Sequence, residues 1–148
     1  MLLTGSAQID AERAFARAAR SRRRATILGR LRRMPKACIQ LAVYDERQAG
    51  RRPAGGRRIR EIPLREISGT TEPARAELFD SAFRPSTAAR SRWQRVWLAE
   101  QRGAVLPPIS VVPVEHGYAV RDGHHRVSVA RARGALTIDA AVESAYAA

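Results

Sequence analysis

The chain has 148 residues, a hydrophobic fraction of 45% and a formal net charge of +13. This length suits one domain with an appendage, and the charge favours an anionic partner such as nucleic acid, nucleotide phosphates or an acidic protein surface. Cys38 is the only cysteine, which excludes a disulfide framework and a cysteine zinc site and fits a cytoplasmic setting; we also expect neither a signal peptide nor a membrane span.

Residues 8–34 are predicted to form one basic helix. Apolar residues recur there at roughly helical spacing: Ile9, Phe15, Ala18 or Ala19, Ile27, Leu28, Leu31 and Met34. Arginines crowd the remaining surface, and the candidates for binding nucleic acid or an acidic partner are Arg17, Arg20, Arg22, Arg23 and Arg24. A solvated helix face explains the same pattern, because Lys36 is the only lysine and the whole chain is biased towards arginine.

Glycine, proline and arginine fill the next segment, where no apolar residue recurs at regular spacing. We therefore predict a linker over residues 45–57. It separates a basic helical arm, residues 1–44, from a compact domain, residues 58–148.

The compact domain is predicted to begin with a strand near residues 59–64. Pro63 favours an edge strand or the end of this strand, because proline cannot donate a ladder hydrogen bond. Ser68-Gly69-Thr70-Thr71 has the composition of a turn. A short helix is expected within residues 72–83.

Residues 87–102 are predicted to form a helix. Trp93 and Trp97 lie one turn apart on it, which indicates that they face the core. The remaining predicted elements are a strand over residues 109–114, a strand over 118–121, a helix over 127–133 that Gly134 closes, and a strand over 137–142.

The run Asp122-Gly123-His124-His125-Arg126 stands between a predicted strand and a predicted helix. Such a turn can hold an anion, because the first N–H groups of a helix are unpaired and its N-terminus is the positive end of the dipole. Gly123 permits the sharp turn, and Arg126 offers a fork of donors suited to phosphate. The histidines add donors, or a proton carrier near neutral pH. Their spacing fits no standard metal-ligand pattern, so no directly bound metal is predicted.

Residues 58–143 resemble the ParB N-terminal/sulfiredoxin-like superfamily. The resemblance rests on Ile62-Pro63-Leu64-Arg65-Glu66-Ile67, on Leu106-Pro107-Pro108-Ile109, on the Asp-Gly-His-His-Arg turn with its flanking residues, and on Ile138-Asp139-Ala140. It implies a compact α/β domain (α+β, mixed) with a small mixed sheet. The resemblance also implies that the turn binds a nucleotide, since partitioning proteins of this superfamily bind CTP at this turn and sulfiredoxin binds ATP there. Free-serine kinases of this fold carry the same turn and transfer a phosphoryl group.

Carried over to this chain, the resemblance assigns the phosphates of a nucleoside di- or triphosphate (CTP, ATP or ADP) to Gly123, His124, His125 and Arg126. Asp122 then shapes the turn or meets a Mg²⁺ ion bound to the phosphates. The kinase-like members also place a carboxylate base just after the first strand. Glu72 falls near that place, with Glu66 and Glu77 as rivals.

Two departures from the superfamily narrow the function. Sulfiredoxin has its catalytic cysteine just before the His-Arg pair, where this chain has His124, so sulfinate reduction is not expected. Only residues 143–148 follow the last predicted strand, so the helix-turn-helix domain of partitioning proteins is not expected either.

Three functions remain open from the sequence. The first is a nucleotide-binding switch or interaction module, which needs only the turn. The second is a small-molecule kinase with Glu72 as the base. The third is a DNA-binding protein or ParB-like nuclease that uses the arginine-rich helix. The sequence leaves the base of the nucleotide, the partner and the formation of a homodimer undecided.

Overall fold

A computed structural model describes residues 5–45 and 57–143 of the chain. Five helices and six strands form within these ranges. The helices are α1 (Ala7–Leu31), α2 (Lys36–Ile39), α3 (Pro73–Ala76), α4 (Arg90–Gln101) and α5 (His124–Ala132). The strands are β1 (Ala42–Val43), β2 (Arg58–Pro63), β3 (Ile67–Thr70), β4 (Ile109–Val114), β5 (Gly117–Asp122) and β6 (Thr137–Val142).

The six strands form one mixed sheet in the order β1-β3-β5-β4-β6-β2. Strand β3 runs parallel to β1 and β5, and β4 runs parallel to β6. The hairpin of β4 and β5 is antiparallel, as is the pair of β2 and β6. Since β3 and β5 are parallel neighbours, the residues that follow each of them lie at the same edge of the sheet.

Helices α1, α4 and α5 pack on one face of the sheet and share its main core. Trp93 of α4 is fully buried, and its ring meets that of Phe15 of α1 edge-on, with centroids 5.5 Å apart. The indole N–H of Trp93 donates to Ser128 Oγ of α5 at 2.9 Å, which satisfies its polar group inside the core. A smaller apolar cluster around Val112 and Ala119 lies on the opposite face, as the alternation of strand side chains requires.

The predicted α/β class with a small mixed sheet is confirmed. Helix α4, with the short 3₁₀ turn over residues 87–89, matches the helix predicted over 87–102, and both tryptophans are buried. Strand β2 lies at the end of the sheet, as Pro63 indicated. Among the described residues, no helix combines the length and the apolar character needed to cross a bilayer.

The prediction of a turn at Ser68-Gly69-Thr70-Thr71 is wrong, because Ile67–Thr70 form strand β3. Small and hydroxylated residues favour turns locally. Here, however, the segment is hydrogen-bonded on both sides, to β1 and β5, and Thr70 is fully buried. Tertiary pairing therefore outweighs the local preference.

The N-terminal helix is packed into the same core as the sheet, although the sequence set it apart as an arm. Its buried face consists of small residues around Phe15, namely Ala11, Ala14 and Ala19. Most of the predicted apolar stripe is exposed instead, including Ile27, Leu28 and Leu31. The predicted linker lies outside the described residues except at its two ends, Asp45 and Arg57.

Candidate functional site

The Asp122–Arg126 turn lies at the edge of the sheet where the parallel strands β3 and β5 end. Helix α5 begins directly after β5, and Glu72 follows β3 by two residues. The Thr71 amide donates to the Val120 carbonyl at 3.0 Å, so the chain leaving β3 stays against β5 up to this edge. The fold thus places the turn and Glu72 at one end of the sheet.

Gly123 is required at the turn for two physical reasons. Its φ of +105° lies in the left-handed region, and a Cβ at this position would come within 2.5 Å of Ile109 Cγ2 on β4. Gly123 is also the N-cap residue of α5, and because it has no side chain it supplies no side-chain cap to the first turn of that helix. Its first N–H groups, which have no intrahelical partner, are therefore left for a ligand or water.

His124 is a buried residue that hydrogen-bonds within the protein. It is 3% exposed, and its Nε2 lies 2.6 Å from Thr70 Oγ1 on β3. Its ring stacks with those of Phe79 and Phe83, each with a centroid distance of 6.4 Å. Burial, with a smaller contribution from the positive charge of Arg75, lowers the pKa of His124 to about 4.

His125 is also buried, and its ring meets that of Phe79 edge-on at 5.1 Å. Burial lowers the pKa of His125 to about 4, and the charges of Arg92, Arg75 and Arg95 act in the same direction. Both imidazoles are therefore neutral at pH 7. With a pKa this low, little of either imidazole is protonated near neutral pH, in contrast to the proton carrier expected from the sequence, because the folded state disfavours the charged ring.

Arg126 directs its guanidinium at oxygen atoms of the protein itself. Nη1 donates to the carbonyls of Pro107 and Pro108, in the loop before β4, and Nη2 donates to Asp122 Oδ2 at 3.1 Å. Arg126 is mostly buried, whereas the Asp122 side chain is exposed. These contacts fasten the turn to the loop before β4 and leave Arg126 with fewer donors for a phosphate than the sequence suggested.

Three arginines that the sequence prediction missed lie close enough to the turn for their charges to lower the pKa of its histidines. Arg75 of α3 acts electrostatically on both histidines, and Arg92 and Arg95 of α4 act on His125. None of the three takes part in an ion pair within residues 5–45 and 57–143. Arg92 and Arg95 are three residues apart on the side of α4 that the buried tryptophans leave exposed, and this spacing was the only signal in the sequence.

The three candidate carboxylates are placed differently. Glu72 is exposed, and its backbone amide donates to Thr70 Oγ1 at 2.9 Å, which is the hydroxyl that meets His124. Glu66 precedes β3 and lies beside Gly117 at the start of β5, so it is at the opposite end of the sheet from the turn. Glu77 follows α3 and is exposed. Among the three, Glu72 has the closest backbone connection to the turn.

The arginines predicted to bind nucleic acid all lie on α1, where the structure gives them different surroundings. Arg20, Arg23 and Arg24 are exposed. Arg22 donates to the carbonyls of Leu78 and Glu77 and so holds α1 to the segment after α3. Arg17 lines a cleft between α1 and α5.

Comparisons of the chain with protein-family models, with curated proteins and with solved structures found no match. The resemblance to the ParB/sulfiredoxin-like superfamily consequently stays a prediction. The geometry of the residues at and near the Asp122–Arg126 turn is therefore the basis for a proposed function.

Replacing Gly123 should destabilise the protein more than replacing Gly134, which also has a positive φ but where an added Cβ would have no neighbouring heavy atom within 4 Å. We expect Gly134→Ala to cost about 1 kcal/mol from backbone strain alone. Gly123→Ala should cost about 3 kcal/mol, because the contact with Ile109 adds to that strain. Urea unfolding of both variants measures the difference, and equal costs would show that the contact with Ile109 does not constrain the turn.

The low pKa values of the two histidines should make the fold sensitive to acid. A histidine in the unfolded chain titrates near pH 6.5, whereas the pKa of each in the folded protein is about 4. The unfolded chain therefore binds more protons between these values. The contribution of the two histidines to the free energy of unfolding should be complete above pH 6.5. It should fall as the pH approaches 4, by about 1.4 kcal/mol per pH unit for each histidine.

Urea unfolding at several pH values between 7 and 4.5, followed by tryptophan fluorescence, measures this dependence. His125→Gln should remove about half of the slope of the free energy of unfolding against pH. His116→Gln, which replaces the exposed third histidine, should leave it unchanged. A His125→Gln profile parallel to that of the wild type would contradict the assignment.

Proposed function

We propose that this protein binds a nucleoside di- or triphosphate whose phosphates lie at the start of α5. The observation that carries the proposal is an uncapped helix N-terminus whose two buried histidines feel the positive charges of Arg75, Arg92 and Arg95. Backbone N–H groups, the positive end of the helix dipole and arginine side chains are the groups that proteins use to hold phosphate.

The division of roles among the residues follows from their surroundings. The positive charge comes from the arginines, since His124 and His125 are neutral at pH 7. The imidazole of His124 fixes the start of α5 to β3 through Thr70. Arg126 shapes the turn through Pro107, Pro108 and Asp122. A bound anion would also raise the pKa of both histidines, because negative charge favours the imidazolium form.

A nucleotide is favoured over a simple inorganic anion by the resemblance of the Asp-Gly-His-His-Arg turn to nucleotide-binding members of the ParB/sulfiredoxin-like superfamily. Asp122 is the exposed carboxylate within the turn and could contribute to a Mg²⁺ ion, which the phosphate oxygens would hold in the main. No group of three or more His, Cys, Asp or Glu side chains among the described residues could bind a metal by itself. In this proposal the protein is a cytoplasmic switch or interaction module.

Calorimetric titration with CTP, ATP, ADP and GTP in the presence of Mg²⁺ tests the proposal. We expect one nucleotide to bind to the wild type. The double variant Arg92→Gln/Arg95→Gln should lower the affinity for that nucleotide at least tenfold, because each charged contact contributes about 1.5 to 3 kcal/mol. The control is Arg13→Gln/Arg30→Gln, which removes the same charge from exposed positions of α1. Arg126→Ala is a less specific probe, since it also releases the loop at Pro107 and Pro108.

Two results would overturn the proposal. One is the absence of binding of all four nucleotides to the wild type. The other is equal weakening in both double variants, which would attribute binding to the overall charge of the protein.

A second candidate function is transfer of a phosphoryl group to a small hydroxyl compound, with Glu72 as the base. The position of Glu72 favours it, since its amide is bonded to the Thr70 hydroxyl that also meets His124. Phosphoryl transfer needs an acceptor aligned with the phosphate, neutralisation of charge and a residue that orients or deprotonates the acceptor. The arginines would supply the second requirement and Glu72 the third.

Nucleotide turnover with a panel of hydroxyl amino acids tests this second function. Glu72→Gln should lower turnover at least a hundredfold, as expected for loss of general base catalysis, and should leave nucleotide affinity within threefold. Glu66→Gln, at the opposite end of the sheet, should leave turnover unchanged. Turnover that survives Glu72→Gln would exclude Glu72 as the base.

A further inference from the structure

We propose that a second ligand site, for a small organic anion with an apolar body, lies in a cleft at the other end of α5. The cleft has a volume of about 1050 Å³ and lies between α1, α4, the C-terminal part of α5 and the segments around Leu64 and Phe83. This volume is just above the usual range for small-molecule sites, which is about 300 to 1,000 Å³. The proposal is independent of the nucleotide site at the turn.

Apolar side chains form much of the cleft wall. They include Ala14 and Ala18 of α1, Trp97 of α4 and the loop residues Phe83 and Pro85. Such surface gains free energy when a ligand removes it from water. A bare inorganic anion would leave this wall in contact with solvent, so the ligand needs an apolar part.

The charged residues of the cleft all carry the same sign. Within residues 5–45 and 57–143, no acidic residue lines it and five arginines do: Arg17, Arg65, Arg84, Arg131 and Arg133. Arg84 is paired with Asp80, and Arg133 with Glu100, at N–O distances of 3.2 Å and 2.9 Å. Arg17 and Arg65, which lie on different walls, form no ion pair in the described part of the chain. Two cations are therefore open to an anionic group.

Arg131 adds a donor inside the cleft. Its Nη2 donates to the Leu64 carbonyl at 2.6 Å, and its Cζ lies 5.8 Å from the centre of the Phe83 ring. Its Nε atom is buried and has no hydrogen-bond partner among the described residues. The Arg131 side chain is thus held in the wall of the cleft by groups of the protein itself.

Phe83 separates this cleft from the turn. Its ring is within 6.4 Å of the His124 ring, measured between centroids, and it also lines the cleft. Phe83 has a φ of +58°, which is rare for a bulky residue. The loop that holds it is secured by Asp80 Oδ1, which accepts the amides of Ala82 and Arg84. The two sites are thus neighbours with a shared wall and different chemistry.

Titration with 8-anilinonaphthalene-1-sulfonate, followed by its fluorescence, tests the cleft with a probe that has an aromatic body and one negative charge. We expect saturation at one probe per folded chain. The double variant Arg17→Gln/Arg65→Gln should weaken binding at least tenfold, and Ala132→Trp, which fills the cleft from α5, should do the same. The affinity of the neutral probe N-phenyl-1-naphthylamine should fall less than threefold in Arg17→Gln/Arg65→Gln, because this probe lacks the charged group.

Matched variants separate the cleft from the turn and from overall charge. Arg13→Gln/Arg30→Gln and Arg92→Gln/Arg95→Gln should each leave binding of the sulfonate probe within threefold. Decanoate and decyl phosphate are then added as competitors, and the stronger one identifies the preferred acidic group. Equal loss in all three arginine variants, unchanged binding in Arg17→Gln/Arg65→Gln, or failure of both competitors to displace the probe would overturn the proposal.

Discussion

The close approach of Gly123 to Ile109 sets the start of α5, and the rest of the site depends on where that helix begins. Since the chain turns there without a Cβ, α5 packs directly against the sheet and buries Val127 and Val129. A helix of nine residues is about 14 Å long. Its N-terminal end carries the histidines on which the charges of Arg75, Arg92 and Arg95 act, and its C-terminal end contributes Arg131 to a cleft. The packing of Gly123 against Ile109 therefore fixes the position of a helix whose two ends contribute to two chemically different sites, the turn and the cleft.

The two buried histidines and the more accessible arginines Arg75, Arg92 and Arg95 have complementary roles at the turn. An imidazolium is costly to bury, and nearby guanidiniums add repulsion, so His124 and His125 remain neutral and act as structural hydrogen-bonding and packing groups. A guanidinium, unlike an imidazole, is a permanent positive charge at physiological pH. The arginines thus supply positive charge near the turn without the free-energy cost of fully burying a charged group. This arrangement suits a multiply charged phosphate better than a site whose charge depended on histidine protonation.

Much of the fold follows from local sequence patterns. Helix α4 is visible from the spacing of Trp93 and Trp97, β6 from a short apolar run, and the start of α5 from the glycine after a strand. The errors arose where distant contacts outweigh local preference. Strand β3 has the composition of a turn but is paired on both sides. The buried face of α1 is made of alanines around Phe15, while its larger aliphatic residues are exposed, because only small side chains allow α1 to approach α4 closely.

The sequence by itself determined the Asp122–Arg126 turn, because a strand, a glycine and a helix start are neighbours along the chain. It also determined the excess of positive charge, though not where that charge gathers. Only the tertiary structure decided that Arg126 holds Pro107 and Pro108, and that the charges of Arg75, Arg92 and Arg95 act on His125. The cleft likewise joins Arg17 and Arg65, which are far apart in sequence. Electrostatic interactions depend on distance in space, and folding alone brings these charges together.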